Sequence, residues 1–313
     1  MIGAAAPVEG AAPETDIVQA FQLERDAVRG RMVRLGPLLD DVLARHAYPP
    51  VIEQLLAEVL TATVLLASLL KYDGVFTLQV KGDGPVSVVV ADVTTDGVVR
   101  GYAGFDRDRL PTGANATPRE LIGQGYLAFT VDQGEDTERY QGIVELEGAE
   151  VADWMLHYFA QSEQLGTHLK VAARRARDGA WRGGGLLLQR LPEDDPLRKQ
   201  SAAVELEDAW VRAKLLLDTT AEVELIDRSL APNDLLFRLF HEEAVRVWPP
   251  TLVTRGCRCS SDRVVRVLKT LSPDELGELR DETGAVTATC EFCSTVYRFD
   301  EEEQQRLKVT AED

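Results

Sequence analysis

The chain is short of several things, and each shortage closes off a class of function. It has only four cysteines and four histidines in 313 residues, so few side chains are available as soft metal ligands or nucleophiles. It is short of positive charge: 34 basic residues stand against 52 acidic ones, a formal net charge of −18. A general nucleic-acid or anionic-membrane binder needs a positive footprint, and this balance argues against both. The N-terminus, MIGAAAPVEGAAPETD, lacks a positive n-region and a continuous apolar stretch, so it does not read as a secretory signal. Residues 1–15 read instead as a disordered Ala/Pro extension. Long hydrophobic runs are also missing. The longest, Val59 to Leu70, is too short to span roughly 30 Å of hydrocarbon and reads as a buried core helix. The expectation is a cytoplasmic protein, in which cysteines stay reduced unless they bind metal or do redox chemistry.

What is present is an ordinary globular composition, 45% hydrophobic and 27% charged, long enough for two or three folded units. From Asp16 to Leu191 short β-type runs alternate with helical ones. Strands are expected at Val28–Leu35, Val75–Val80, Val86–Ala91, Val98–Tyr102, Tyr126–Val131, Tyr140–Leu146, Leu169–Ala173 and Leu186–Leu191. Helices are expected at Pro37–Arg45, Val51–Lys71 and Val151–Ser162. Turn signals at Gly82-Asp83-Gly84-Pro85 and Thr95-Asp96-Gly97 make the strands hairpin-linked, and Gly183–Gly185 reads as a further turn. Hairpins with helices to one side give an α+β core domain over residues 16–191.

Pro192-Glu193-Asp194-Asp195-Pro196 is a charged breaker that suits a boundary. Beyond it, residues 192–250 form a helical segment with 13 acidic and 7 basic residues, in which Leu206, Trp210, Ala213 and Leu217 recur at helical spacing. Such apolar stripes fit first of all helices packed permanently on the core, and also a linker that docks and lets go.

The four cysteines are all in the remaining segment, residues 251–313, as Cys257-Arg258-Cys259 and Cys290-Glu291-Phe292-Cys293. Four thiolates presented as two close pairs suit one tetrahedral Zn²⁺ ion, and no histidine lies near either pair. Such a site has no open position for a catalytic water, so an enzyme is not expected. The segment's apolar inventory is thin, and zinc can supply roughly 10–16 kcal/mol to a fold of this kind. Metal-held thiolates are also the oxidisable form of cysteine. Extended i and i+2 Cα atoms stand about 6.6 Å apart, near the upper limit of about 6.8 Å for a disulfide. Joining Cys257 to Cys259 would therefore bend the backbone. Spacing alone leaves both a structural and a switchable zinc open.

Other motifs carry less. Ser68-Leu69-Leu70-Lys71 matches a Ser-x-x-Lys pattern but ends a core helix, and His241-Glu242-Glu243 lacks the second histidine of a zincin. The acidic run Asp300 to Glu303 reads as a solvated face. A dithiol oxidoreductase would leave one cysteine pair idle. A zinc-ribbon nucleic-acid module would need more than the 9 basic against 13 acidic residues found from Leu252 onward.

The cysteine arrangement at the end of an acidic chain resembles the family of redox-regulated heat-shock protein 33, the 33 kDa chaperonin. The resemblance extends through Ala27-Val28-Arg29-Gly30, Lys71-Tyr72-Asp73-Gly74, Gly82-Asp83-Gly84-Pro85, Glu138-Arg139-Tyr140-Gln141-Gly142, Tyr158-Phe159 with Ser162-Glu163-Gln164-Leu165, Gly183-Gly184-Gly185 and Leu239-Phe240-His241-Glu242-Glu243. It implies an ATP-independent holdase, inactive when reduced and zinc-bound. Oxidation would then form Cys257–Cys259 and Cys290–Cys293 disulfides, release zinc and unfold both the zinc domain and the linker. The active form would bind unfolding client proteins, commonly as a homodimer. Trp210, Phe237, Phe240 and Trp248 are the candidate client-binding residues.

Overall fold

The computed structural model describes residues 15–112, 116–134, 139–162, 166–192, 195–199, 203–300 and 303. The N-terminal extension, apart from Thr15, lies outside the described residues, as do Glu138, Glu163–Leu165, Glu193–Asp194 and Glu301–Glu302 of the motifs above.

The chain opens with β1 (Ile17–Leu23) and β2 (Val28–Leu35), then α1 (Pro37–Leu43) and α2 (Pro50–Ala67). A meander follows: β3 (Val75–Gly82), β4 (Val86–Thr94) and β5 (Val98–Phe105), then α3 (Pro118–Ile122), β6 (Gly125–Asp132) and β7 (Tyr140–Glu145). Helix α4 (Val151–Ser162) and strands β8 (Thr167–Arg175) and β9 (Trp181–Arg190) complete the core.

Helix α2 organises it. Pro49 and Pro50 set its start, where a missing N–H costs nothing. Of its 18 residues 14 are buried, because it lies between two sheets. Thr61 and Thr63 are buried too, and each hydroxyl donates back to a carbonyl of its own helix, Ala57 O at 2.7 Å and Val59 O at 2.6 Å. By length and composition α2 is the one described helix that could cross a membrane, yet 78% of that window is buried inside the protein. In the core one sheet runs β5-β4-β3-β6-β7 and the other β1-β2-β9-β8. All the core pairings are antiparallel.

The mixed sheet-and-helix architecture agrees with the expected α+β class, with two corrections. Gly183–Gly185 are no turn; they lie inside β9, paired to β2 and β8. A Cβ at Gly183 would strike the Thr61 hydroxyl on one face, and one at Gly184 the Leu225 carbonyl on the other. Glycine is needed where side chains of the core helices press on one side of the sheet and the backbone at Leu225 on the other. The second is one of extent: the other face of this sheet is covered by helices from beyond residue 192.

The outer cover is α6 (Ala203–Asp218), α7 (Glu222–Ile226) and α8 (Pro232–Phe240), preceded by the short α5 (Pro196–Lys199). Trp210, Ala213, Leu217, Leu225, Leu236 and Phe240 bury themselves on Phe21, Leu23, Val28, Met32, Leu186 and Leu188. Polar pins flank this contact. Lys170 Nζ donates to Asp218 O at 2.9 Å, Arg34 Nη2 to Glu224 O at 2.8 Å, and Arg212 Nη2 reaches Glu243 at 2.9 Å and Asp26 at 3.2 Å.

The segment 192–250, expected to hold helical segments, ends as strand. β10 (Val245–Val247) pairs with β1, and just past residue 250 so does β11 (Thr251–Leu252). β12 (Thr254–Arg255) then lies parallel to β5 in the other sheet. The exit from the helices is thus stitched to both sheets before the first cysteine. The C-terminal segment holds α9 (Ser261–Leu268), α10 (Pro273–Glu278) and the hairpin β13 (Val286–Thr289)–β14 (Val296–Phe299). Its buried apolar cluster is Leu268, Val286 and Phe299.

Candidate metal centre

Two loops present the four cysteines. Cys257 and Cys259 follow β12 and precede Ser260, whose hydroxyl caps α9 by accepting from Arg263 N at 3.3 Å. Cys290 and Cys293 form the tip of the β13–β14 hairpin. There Ser294 N donates to Cys290 O at 2.8 Å and Cys290 N to Thr295 O at 2.9 Å, with Ser294 in the left-handed region at φ +56°. This tight knuckle turns both sulfurs of the second pair toward the first.

All four Sγ atoms lie within 4.8 Å of one another. Cys257 Sγ is 3.7 Å from Cys290 Sγ and Cys259 Sγ is 3.4 Å from Cys293 Sγ, so these contacts run between the loops. Sulfurs placed tetrahedrally at about 2.3 Å from a zinc ion stand about 3.8 Å apart, so the donor set and its spacing fit such an ion. Cys293 is buried and the other three are half-buried.

The electrostatics also ask for a cation. Burial pushes the Cys290 thiol up to about 12 and raises Cys259 as well. Cys293 goes the other way, down to about 6: burial opposes ionisation there, but hydrogen bonding to Thr295 and to the neighbouring sulfurs outweighs it. Four clustered sulfurs cannot all carry negative charge unaided, and a bound dication removes the conflict. Tyr297 donates its hydroxyl to Cys259 Sγ at 3.0 Å, which holds that phenol's own pKa up at about 12. Thr295 Oγ1 lies 3.2 Å from Cys293 Sγ. These contacts orient the sulfurs from outside.

Comparison with known proteins settles the family. The Hsp33 protein family profile matches residues 16–300. A 33 kDa chaperonin of Caulobacter vibrioides is 40% identical over 300 residues, covering 92% of this chain and 97% of the relative. One of Pseudomonas paraeruginosa is 38% identical and covers 94% of each. The crystal structure of a 33 kDa chaperonin (heat shock protein 33 homolog) from Thermotoga maritima superposes with a TM-score of 0.79 at 25% identity, covering 96% of this chain and all of the other. The chain belongs to the Hsp33 family. That is a family of chaperonins and not of enzymes.

Within this Hsp33 fold, all four cysteines meet, but the candidate client-binding residues divide. Trp210 and Phe240 are buried beneath the outer helices, whereas Phe237 is 64% exposed and Trp248 37%. His241 and Ser68 are spoken for locally: His241 Nδ1 lies 3.2 Å from Phe237 O, and Ser68 Oγ donates to Leu65 O at 2.6 Å. Sequence reasoning passed over the surroundings of the centre, above all Asp92, a carboxylate 3% exposed on β4. The only signal for it was one acidic residue inside an otherwise uncharged run, Val86–Thr94.

Proposed function

We propose that this chain is a redox-regulated, ATP-independent holdase of the cytoplasm. In the reduced state Cys257, Cys259, Cys290 and Cys293 hold one Zn²⁺, which supplies the C-terminal segment with stability its small core lacks. Residues 16–191 form the core domain, 192–250 the regulatory linker and 251–313 the redox-switch domain. Peroxide takes two electrons from each cysteine pair. One peroxide per pair takes up two protons from solvent and leaves as two waters as its O–O bond breaks. The pairs become the Cys257–Cys259 and Cys290–Cys293 disulfides and Zn²⁺ is released. With its thiolate ligands gone the segment unfolds. The linker helices then lose their anchorage and uncover the apolar face beneath them for unfolding clients, and the active form is a homodimer.

The observation that carries this reading is the pairing of a metal-sized sulfur cluster with linker helices whose apolar stripe, including Trp210 and Phe240, lies on a sheet face rich in Phe, Leu and Met. A permanently closed zinc site would explain the sulfurs and leave the strapped-down helices without a role. The test is light scattering of a heat-unfolding client, with the chain either reduced and zinc-loaded or oxidised by peroxide at elevated temperature. Suppression of aggregation by the oxidised form alone is expected. No suppression by either form, with zinc still bound after peroxide, would return the cysteines to a structural role.

A further inference from the structure

The residues between the cysteines reach into the core. Arg258, the spacer of the first pair, donates from Nη2 to Asp92 Oδ2 at 2.6 Å. Arg100 of β5 donates to the same oxygen from Nε at 2.7 Å and Nη2 at 2.6 Å. Thr77 Oγ1 satisfies the other carboxylate oxygen at 2.7 Å. Asp92 is thus a buried anion with a full set of donors, the form in which a buried charge is tolerated. Arg100 is also engaged on its other side. Its guanidinium lies 3.8 Å over the ring of Phe292, the spacer of the second pair, and Nη1 is 3.9 Å from Cys257 Sγ. Phe292 meets Tyr102 edge-on at 5.1 Å.

We infer that Asp92, Arg100 and Arg258 form a latch that docks the cysteine centre on the core and thereby holds the linker's exit strand in place. Both cysteine loops converge on it, one through Arg258 and one through Phe292. Two residues before Arg258, Gly256 N donates to Val99 O at 3.0 Å, and Thr254 N donates to Gly97 O at 2.9 Å. These bonds keep β12 on β5, at the end of the strap leading back to α8. The latch's charge also suits the reduced centre. Arg100 Nη1, 3.9 Å from Cys257 Sγ, puts a guanidinium beside the sulfurs, which favours a metal-held thiolate cluster over neutral disulfides. This last point rests on the function proposed above; the docking contacts do not.

The test uses the full chain, reduced and zinc-loaded, and reads amide hydrogen exchange at Thr254 and Gly256 together with zinc content. Arg258→Met keeps the side chain's apolar stem and removes its charge. Losing a charged hydrogen bond of this kind should speed exchange at both amides about tenfold or more, with zinc still bound. Asp92→Asn, which also weakens the Arg100 contact, should speed exchange at least as much, and adding Arg258→Met to it should add little, since the charge that Arg258 pairs with is already gone. Exchange within about twofold of the parent in Arg258→Met, or effects that multiply in the double variant, would overturn the latch. Should Asp92→Asn disrupt β4, the Arg258→Met result alone still decides. A parent chain that fails to respond to oxidation would sink the proposed function, yet the exchange comparison among reduced proteins would stand.

Discussion

The core and the C-terminal segment are held together by different physics. Around α2 a continuous apolar cluster fills the space between two sheets, with Ile52, Leu56, Leu60, Leu65, Phe76 and Trp154 wholly buried. In the C-terminal segment that role falls to Leu268, Val286 and Phe299, while Val267 and Val296 stand more than 60% exposed. One region is stabilised by area removed from water, which no oxidant touches. The other has little such area, and in the proposed function its stability comes from four clustered sulfurs, the groups an oxidant would reach. On the function proposed above, placing the two in contact lets oxidation dissolve part of the fold while the rest persists.

The largest effect expected from this contrast is that of metal removal. Chelation of the reduced chain withdraws a contribution on the order of 10–16 kcal/mol, so amides across β13 and β14 should lose protection from exchange. The paired strands β3, β4 and β6 should keep theirs. Equal loss in both regions would erase the distinction.

Next comes the linker, which borrows its stability from the core. Phe240 is fully buried against Phe21, their rings 5.9 Å apart, and Phe240→Ala should cost about 3–5 kcal/mol. Trypsin should then cut the α6–α8 region in the reduced protein. Phe237→Ala, at an exposed position, should change stability by less than about 0.5 kcal/mol. In the core itself, Leu56→Ala should cost about 2–5 kcal/mol in thermal unfolding of the sheets, with zinc affinity measured by chelator competition left unchanged.

Much of this was legible in the sequence for reasons that differ by region. The cysteine cluster needs only spacing and ligand chemistry, so it was readable without a fold. Helix α2 and strands β2 to β9 carry local periodicity and turn residues, and their positions follow. Several features did not show. The glycines of β9 look like a turn because only the approach of α2 and α7 from either side explains them. Strand β1, Ile17–Leu23, went unread, although its burial follows the pairing with β2. Strands β10, β11 and β12 are two or three residues long, too short for any period, and exist because β1 and β5 offer edges far away in sequence. The same distance hid Asp92, which is 166 residues from its partner Arg258.

The smallest predicted effect is one of pH. Arg212 of α6 spans Asp26, on the β1–β2 turn, and Glu243, beyond α8. Arg25, Glu205, Asp208, His241 and Glu242 line the same recess. Burial and the neighbouring Glu243 push Asp26 up to about 7, while the hydrogen bond from Arg212 holds Glu243 below the usual carboxylate range. An unfolded aspartate loses its proton near pH 4, so between about pH 4 and 7 the undocked form binds fewer protons than the docked one. Asp26 therefore makes linker docking weaker as pH rises through that window. Asp26→Asn should remove this slope from the pH dependence of exchange in α6. An unchanged slope would place its origin elsewhere.

The central claim is that oxidation of four cysteines frees the linker and spares the core. Hydrogen exchange of the full chain before and after peroxide treatment tests it most directly. The account predicts that amides from α6 to β12 lose protection once all four thiols have reacted, while β3, β4 and β6 stay protected. Linker amides that remain protected with both cysteine pairs oxidised would contradict it.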